Sequence, residues 1–345
     1  MPYVLAGDIG GTNARFAIFE VRKDGPRLAH SEVLESRGYK TFEAAMGAFL
    51  ASAHEATRAK KLPLAAASLA IAGPVVDQRV KTTNLPWLID ARTIAKKFAV
   101  KKVTLLNDLM AVGLGAIASP PKSLAVLQVG RPKKTGGNLA VIAAGTGLGE
   151  ATFIWDGQEH IACASEGGHT DFAPRNGVED ELLSLLRVEH GRVSYERIAS
   201  GSTISMVYRF FVKEQKVKET KQNTAFVAQA EDANRAVVEL ARSGKSEAAM
   251  RAIDLWCSVY GSEAGNLALK SLATGGVFVC GGVAAALSDV LAKGLPARKN
   301  EVSPFLEAFR DKGRMRGLVE AIPVAVCTES RAGLLGAATH AASRA

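Results

Sequence analysis

Asp8-Ile9-Gly10-Gly11-Thr12-Asn13 lies between two apolar runs, Tyr3-Val4-Leu5-Ala6 and Phe16-Ala17-Ile18-Phe19. The pattern predicts a strand, a glycine turn and a returning strand, which puts consecutive backbone N–H groups at the tip of a hairpin. Paired glycines let a large anion come close, and Thr12 and Asn13 add side-chain donors. Asp8, at the end of the first strand, is placed to hold a Mg²⁺ ion, directly or through water. An ordinary tight hairpin whose Asp bonds its own turn gives the same local pattern.

A second copy decides between these readings. Leu139-Ala140-Val141-Ile142-Ala143-Ala144 leads into Gly145-Thr146-Gly147-Leu148-Gly149, and Ala151-Thr152-Phe153-Ile154-Trp155 follows. In a dinucleotide-binding unit the glycine turn opens a helix. Here both turns are followed by β-branched and aromatic alternation, so that fingerprint is excluded. No Gly-Lys-Ser or Gly-Lys-Thr occurs, so the Walker pattern is excluded too. Two phosphate hairpins, one in each half of the chain, are the mark of sugar kinases of the actin-like ATPase superfamily.

Four further stretches extend the pattern: Leu106-Asn107-Asp108, Glu166-Gly167-Gly168-His169-Thr170-Asp171-Phe172-Ala173-Pro174, Glu196-Arg197-Ile198-Ala199-Ser200-Gly201 and Gly275-Gly276-Val277-Phe278-Val279-Cys280-Gly281-Gly282. Together with the hairpins and the closing Gly333-Leu334-Leu335-Gly336, they make the chain resemble the bacterial-type glucokinases, ATP-dependent hexokinases without a zinc motif. The resemblance covers nearly the whole chain. It implies an α/β, two-lobed actin-like (ribonuclease H-like) ATPase fold, with a small lobe of 1–109 plus 327–345 and a large lobe of 110–326. A cleft between the lobes would hold both substrates, and its closure would exclude water. The implied reaction transfers the γ-phosphate of ATP to the 6-hydroxyl of D-glucose, giving glucose 6-phosphate and ADP, the first step of glycolysis. Mg²⁺ is the implied metal and a homodimer the implied assembly.

Such a transfer needs a base for the hydroxyl, donors along the phosphates, a metal and a dry site. Asp108, at a strand end, is the candidate base, although Asn107-Asp108 would equally cap the following helix. Asn107 can both donate to and accept from a sugar hydroxyl. Glu166 and His169 lie in a glycine-spaced loop whose residue types suit paired vicinal hydroxyls. With Asp171 they would also suit a metal; the resemblance assigns Glu166, His169 and Glu196 to glucose. Asp171 is read as a sugar contact or a brace for the loop, and Glu196 on its own reads also as a helix start. Gly10, Gly11, Thr12, Asn13, Gly145, Thr146 and Gly147 are placed around the phosphates. Gly281 and Gly282 open room for adenosine, or simply turn a strand into a helix.

Composition bounds the alternatives. The chain has 345 residues, 48 % hydrophobic and 6 % aromatic, with 33 glycines, a profile that suits an Ala/Val/Leu-rich α/β enzyme of two lobes. No apolar run approaches the roughly 18–20 residues of a membrane span, and no secretory signal is visible, so a cytoplasmic protein with no membrane partner is expected. Cys163, Cys257, Cys280 and Cys327 are widely spaced and read as reduced thiols. The net charge of +9 is scattered among interleaved acids, which predicts solvated faces and no nucleic-acid partner.

Element boundaries follow from periodicity. Thr41 caps a helix bearing Phe42, Ala45, Met46, Phe49, Leu50 and Ala53. Leu69–Ala72, Val103–Leu106, Val277–Cys280 and Ile322–Val326 read as strands. Helices are predicted over Leu109–Ile117, from Asn176 with Glu179 three residues on, over Ser246–Leu272 and over Arg331–Ala342. Arg131–Gly137 reads as a surface connection and Lys213–Lys221 as a mobile surface segment.

Overall fold

The structure, a computed structural model, describes residues 2–57, 63–82, 85–131, 136–298 and 302–345. Apolar alternation folds Tyr3–Ile9 (β1) and Asn13–Arg22 (β2) into an antiparallel hairpin in which Asp8 faces Arg15 and Ile9 faces Ala14. Gly25–Glu35 (β3) returns along β2, while Leu64–Ile71 (β4) runs parallel to β1. Arg79–Lys81 (β5) and Leu88–Asp90 (β6) form a small separate ladder. Lys102–Asn107 (β7) completes a sheet of order β3-β2-β1-β4-β7, parallel to β4.

The same arrangement recurs. Leu124–Gln128 (β8), Leu139–Ala144 (β9), Leu148–Trp155 (β10), His160–Ser165 (β11), Gly276–Cys280 (β12) and Val324–Cys327 (β13) form a sheet of order β11-β10-β9-β12-β13-β8. Strands β9, β12 and β13 are mutually parallel, with antiparallel β10 and β11 on one side and antiparallel β8 on the other. Each sheet is therefore a glycine-tipped hairpin continued by parallel strands.

The chain divides into two compact units, Met1–Pro121 with Glu329–Ala345, and Lys122–Thr328. In the first, helix Phe42–Thr57 starts at Thr41, whose Oγ1 accepts from the Ala44 N–H at 3.2 Å. Phe49 stacks on Phe16 at 5.3 Å between ring centroids. On the other face of the sheet, helix Ala332–Ala342 packs Leu334, Ala337, Ala338 and Ala341 against Val4, Ala6, Ala17, Phe19 and Ala66. This helix also lies directly on helix Asp108–Ala118. A Cβ on Gly336 would fall 1.8 Å from the Ala111 carbonyl oxygen, and one on Gly115 1.8 Å from that of Ala332. The two helices touch backbone to backbone there, which only glycine permits.

In the second unit, helix Glu247–Lys270 runs through the core. Trp256 donates to the Ser200 carbonyl at 2.9 Å, and the Tyr260 hydroxyl meets the Ala144 N–H at 3.2 Å. Helix Gly177–His190 is capped by Asn176, whose Oδ1 accepts from the Glu179 N–H. The Glu179 carboxylate turns back one residue further than a capping box would take it, to the Arg175 N–H.

The strand read over Leu69–Ala72 runs Leu64–Ile71. The strand read from Ile322 begins at Val324, because Pro323 has no N–H to give a ladder. Lys213–Lys221 is tied down rather than loose: Glu219 accepts from Tyr208, Asn223 and Ser246. Residues 132–135 of the expected Arg131–Gly137 connection lie outside the described residues. Cys257, Cys280 and Cys327 are buried and Cys163 is partly buried, and none of the four forms a disulfide. Among the described residues no helix is long and apolar enough to cross a membrane.

Candidate functional site

In the first unit the candidate residues gather at the carboxyl ends of three neighbouring parallel strands, where open α/β sheets take ligands. Ile9 pairs with Ile71 and Ile71 with Asn107, so the β1 and β7 ends are two strand spacings apart, about 10 Å. The first glycine turn closes through a bond from the Gly10 N–H to the Asn13 carbonyl at 2.9 Å. Ser36, wholly buried, clamps it twice. Its N–H donates to the Thr12 carbonyl at 2.9 Å and its hydroxyl to the Gly10 carbonyl at 3.0 Å. With two carbonyls tied back, the turn is shaped to offer N–H groups to an anion.

Asp8 is raised from its ordinary value by burial, against which Arg15, 3.5 Å away, pulls it down. Gly333 leaves room beside it, since a Cβ there would be 3.5 Å from Asp8 Cγ. Among the described residues no three His, Cys, Asp or Glu side chains form a metal cluster. A single partly desolvated carboxylate of this kind suits a Mg²⁺ that arrives on phosphates and keeps several waters.

Asn107 is the cap of helix Asp108–Ala118. Its Oδ1 accepts from the Leu109 and Met110 N–H groups at 2.9 and 3.4 Å, and its Nδ2 donates to the Gly73 carbonyl at 3.3 Å. Asp108 Oδ1 also accepts from the Leu109 N–H, at 2.9 Å. The capping reading is thus realised, and it places Asp108 in a fixed position at the positive end of the helix.

The second unit repeats the clamp with other residues. The Gly145 N–H donates to the Gly147 carbonyl at 2.9 Å, the Gly201 N–H to the Gly145 carbonyl at 2.8 Å, and the Ser202 hydroxyl to the Thr146 carbonyl at 2.9 Å. Glu196 touches this turn directly. Its Oε2 accepts from the Leu148 N–H at 3.0 Å, and a Cβ on Gly147 would lie 2.3 Å from that same oxygen. His169 stands between Glu196 and Glu166, with Nδ1 3.6 Å from Glu196 Oε1 and Nε2 3.9 Å from Glu166 Oε2. Both separations exceed a hydrogen bond, so Glu166, His169 and Glu196 Oε1 are not bonded to one another.

The Glu166–His169 loop rests on β10. A Cβ on Gly168 would meet the Leu148 carbonyl oxygen at 1.9 Å, and one on Gly167 would meet Glu150 Oε2 at 1.9 Å. Asp171 is a brace: Arg192 donates to it at 2.7 Å and to the His169 carbonyl at 2.7 Å.

Beside the second turn lies a cavity of about 520 Å³. Ile204, Val238 and Val283 give it an apolar wall, and Ser202, Asn234 and Arg235 a polar one, with Gly145, Thr146 and Gly282 at its edge. Gly281 precedes it with φ +94°, and a Cβ there would lie 2.7 Å from the Ala144 carbonyl oxygen. Sequence reasoning did not reach Ser36, Ser202, Asn234, Arg235 or Glu150. For Glu150 a signal existed: a carboxylate between Gly149 and Ala151 in an otherwise apolar strand.

A family model described as Glucokinase matches residues 5–344. A glucokinase of Synechocystis sp. is 37 % identical over 98 % of this chain and 97 % of its own length. One of Hahella chejuensis is 34 % identical over 97 % and 96 %. Among solved structures, a glucokinase from an Antarctic psychrotroph superposes with a TM-score of 0.83 at 28 % identity, covering 99 % of both chains. A ROK family glucokinase from Streptomyces griseus, solved with glucose and AMPPNP, superposes with a TM-score of 0.61 at 21 % identity over 99 % of both. These likenesses carry the actin-like ATPase fold expected from the paired hairpins.

Proposed function

We propose a working assignment of residues for this chain, which belongs to the glucokinase family and is an ATP-dependent hexose kinase. The reaction is transfer of the γ-phosphoryl group of ATP to the 6-hydroxyl of D-glucose, giving glucose 6-phosphate and ADP. The observation that carries the assignment is Glu196. One of its oxygens lies on the second phosphate turn and the other lies 3.6 Å from His169, so one side chain joins a sugar-type cluster to a phosphate-type turn.

Glu166 and Glu196 accept from sugar hydroxyls, and His169 donates or accepts between them. Asp108 takes the proton of the 6-hydroxyl, held in place by the helix start it helps to cap. Asn107 offers an amide hydrogen to the sugar. Gly10, Gly11, Thr12 and Asn13 are assigned to phosphate, and so are Gly145, Thr146 and Gly147. The cavity edged by Gly282 receives adenosine, and Gly281 before it lets the chain pass close to the Ala144 carbonyl. Asp8 would hold Mg²⁺, which when bound neutralises phosphate charge. The family reading also carries a cytoplasmic homodimer, testable by sedimentation.

A hexose panel followed by coupled ADP release tests the assignment. Glucose should show the highest kcat/KM. A better rate with glucosamine or mannose would overturn the sugar, and no ADP with any hexose would overturn the kinase.

A further inference from the structure

Beneath the sugar loop lies a set of ionisable side chains that the reaction does not use. Glu150, inside β10, is 1 % exposed, and Glu263, on helix Glu247–Lys270, is 0 % exposed. Glu150 Oε2 is packed under the Gly167 backbone, while its Oε1 is buried without a hydrogen-bond partner among the described residues. Burial, and then the neighbouring Glu263, push the Glu150 carboxyl up to about 8, with Lys270 opposing.

Glu263 is gripped from its own helix by Lys270 at 3.0 Å and by Asn266 Nδ2 at 2.9 Å. The same Asn266 nitrogen donates to the Tyr195 hydroxyl at 3.1 Å. Tyr195 immediately precedes Glu196, and its hydroxyl is raised to about 12 by burial and by Glu263. Three other groups face the pair. Lys312 is lowered to about 8 by burial and by Arg175, Arg175 itself acts on both Tyr195 and Lys312, and the Tyr260 hydroxyl is kept un-ionised by burial. Two carboxyls buried side by side do not both ionise readily.

We propose that Glu150 and Glu263 are positioning residues for the sugar: Glu150, packed under Gly167, holds the Glu166–His169 loop, and Glu263, through Asn266 and Tyr195, holds the segment that ends in Glu196. The proposal rests on the reading of Glu166, His169 and Glu196 as the sugar-binding groups. When Glu150 loses its proton, its charge and that of Glu263 oppose each other, and the loop resting on Glu150 is displaced. The displaced loop carries no residue of the phosphate turns and none of those lining the adenosine cavity, so the effect falls on glucose and spares ATP. For a site that binds only in its protonated form, KM for glucose rises about tenfold between pH 7 and pH 9.

Initial rates from pH 6 to 9.5 for the wild type, Glu150→Gln, Glu263→Gln and Glu166→Gln test this. Wild-type KM for glucose should climb on the alkaline side while KM for ATP stays level. Glu150→Gln keeps a hydrogen-bond donor and cannot ionise, so it should abolish the climb. Should it fold poorly, Glu263→Gln removes the same opposition and should do likewise. A climb that persists in either variant, as titration of Lys312 would give, overturns the proposal, and so does a flat wild-type profile. Glu166→Gln separates the premise. If it leaves KM for glucose at the wild-type value, the sugar-site reading has failed. If it raises KM while Glu150→Gln keeps the climb, only the positioning role has failed.

Discussion

Ser36→Ala removes one of the two bonds that clamp the first phosphate turn. The side chain is wholly buried, and its hydroxyl donates to the Gly10 carbonyl at 3.0 Å. Alanine fits the same space and leaves that carbonyl without this donor, at a cost of about 1–3 kcal/mol for a buried acceptor. The Ser36 N–H bond to the Thr12 carbonyl survives, since it is backbone. If the lost energy served to hold the turn ready for phosphate, ATP binding weakens by about 5- to 150-fold. Glucose binding, assigned to Asn107, Glu166, His169 and Glu196 rather than to this turn, stays put. ATP and glucose titrations by coupled ADP release, run beside thermal melts, read both quantities. A lower Tm with KM for ATP within twofold of the wild type would show that Ser36 only stabilises the fold, and the clamp argument would be refuted.

Three other outcomes are expected. Asp108→Asn retains an oxygen for the Leu109 N–H, so fold and glucose binding should persist while kcat falls about 10²- to 10⁴-fold; a near wild-type kcat would remove Asp108 from the mechanism. Gly336→Ala drives a Cβ into the Ala111 carbonyl of the helix that begins at Asp108. Denaturant unfolding should show a loss of about 1–3 kcal/mol, and an unchanged midpoint would contradict the backbone contact. For Glu150, the unfolded chain releases the proton near 4.5 and the folded chain near 8. Wild-type stability therefore falls as pH rises through that window. The Tm advantage of Glu150→Gln should widen from pH 5 to pH 8 and then level off, and a constant difference would argue against a buried protonated carboxyl.

The two hairpins were legible because alternation, glycines and hydroxyls all lie within about a dozen consecutive residues. The same holds for Asn107 and Asp108, where strand end and helix cap adjoin. What supports these residues was hidden because it comes from far along the chain. Ser36 reaches Gly10 across 26 positions, and Ser202 reaches Thr146 across 56. Glu263 sits on an apolar helical stripe between Tyr260 and Leu267, and nothing local links it to β10. The edge strands β3 and β11 also escaped notice. β3 is mostly exposed or partly exposed along its length, so burial imposed little pattern on it.

The first unit is closed by a helix that the ribosome makes only after the whole of the second. Until Leu334, Ala337, Ala338 and Ala341 emerge, the face of the first sheet formed by Val4, Ala6, Ala17, Phe19 and Ala66 has no cover. At roughly 5–20 residues per second that interval is on the order of 10–40 s. The second unit, being continuous, can finish folding within this time. The nascent first unit meanwhile presents an apolar sheet face to solvent, the kind of surface that holding chaperones recognise.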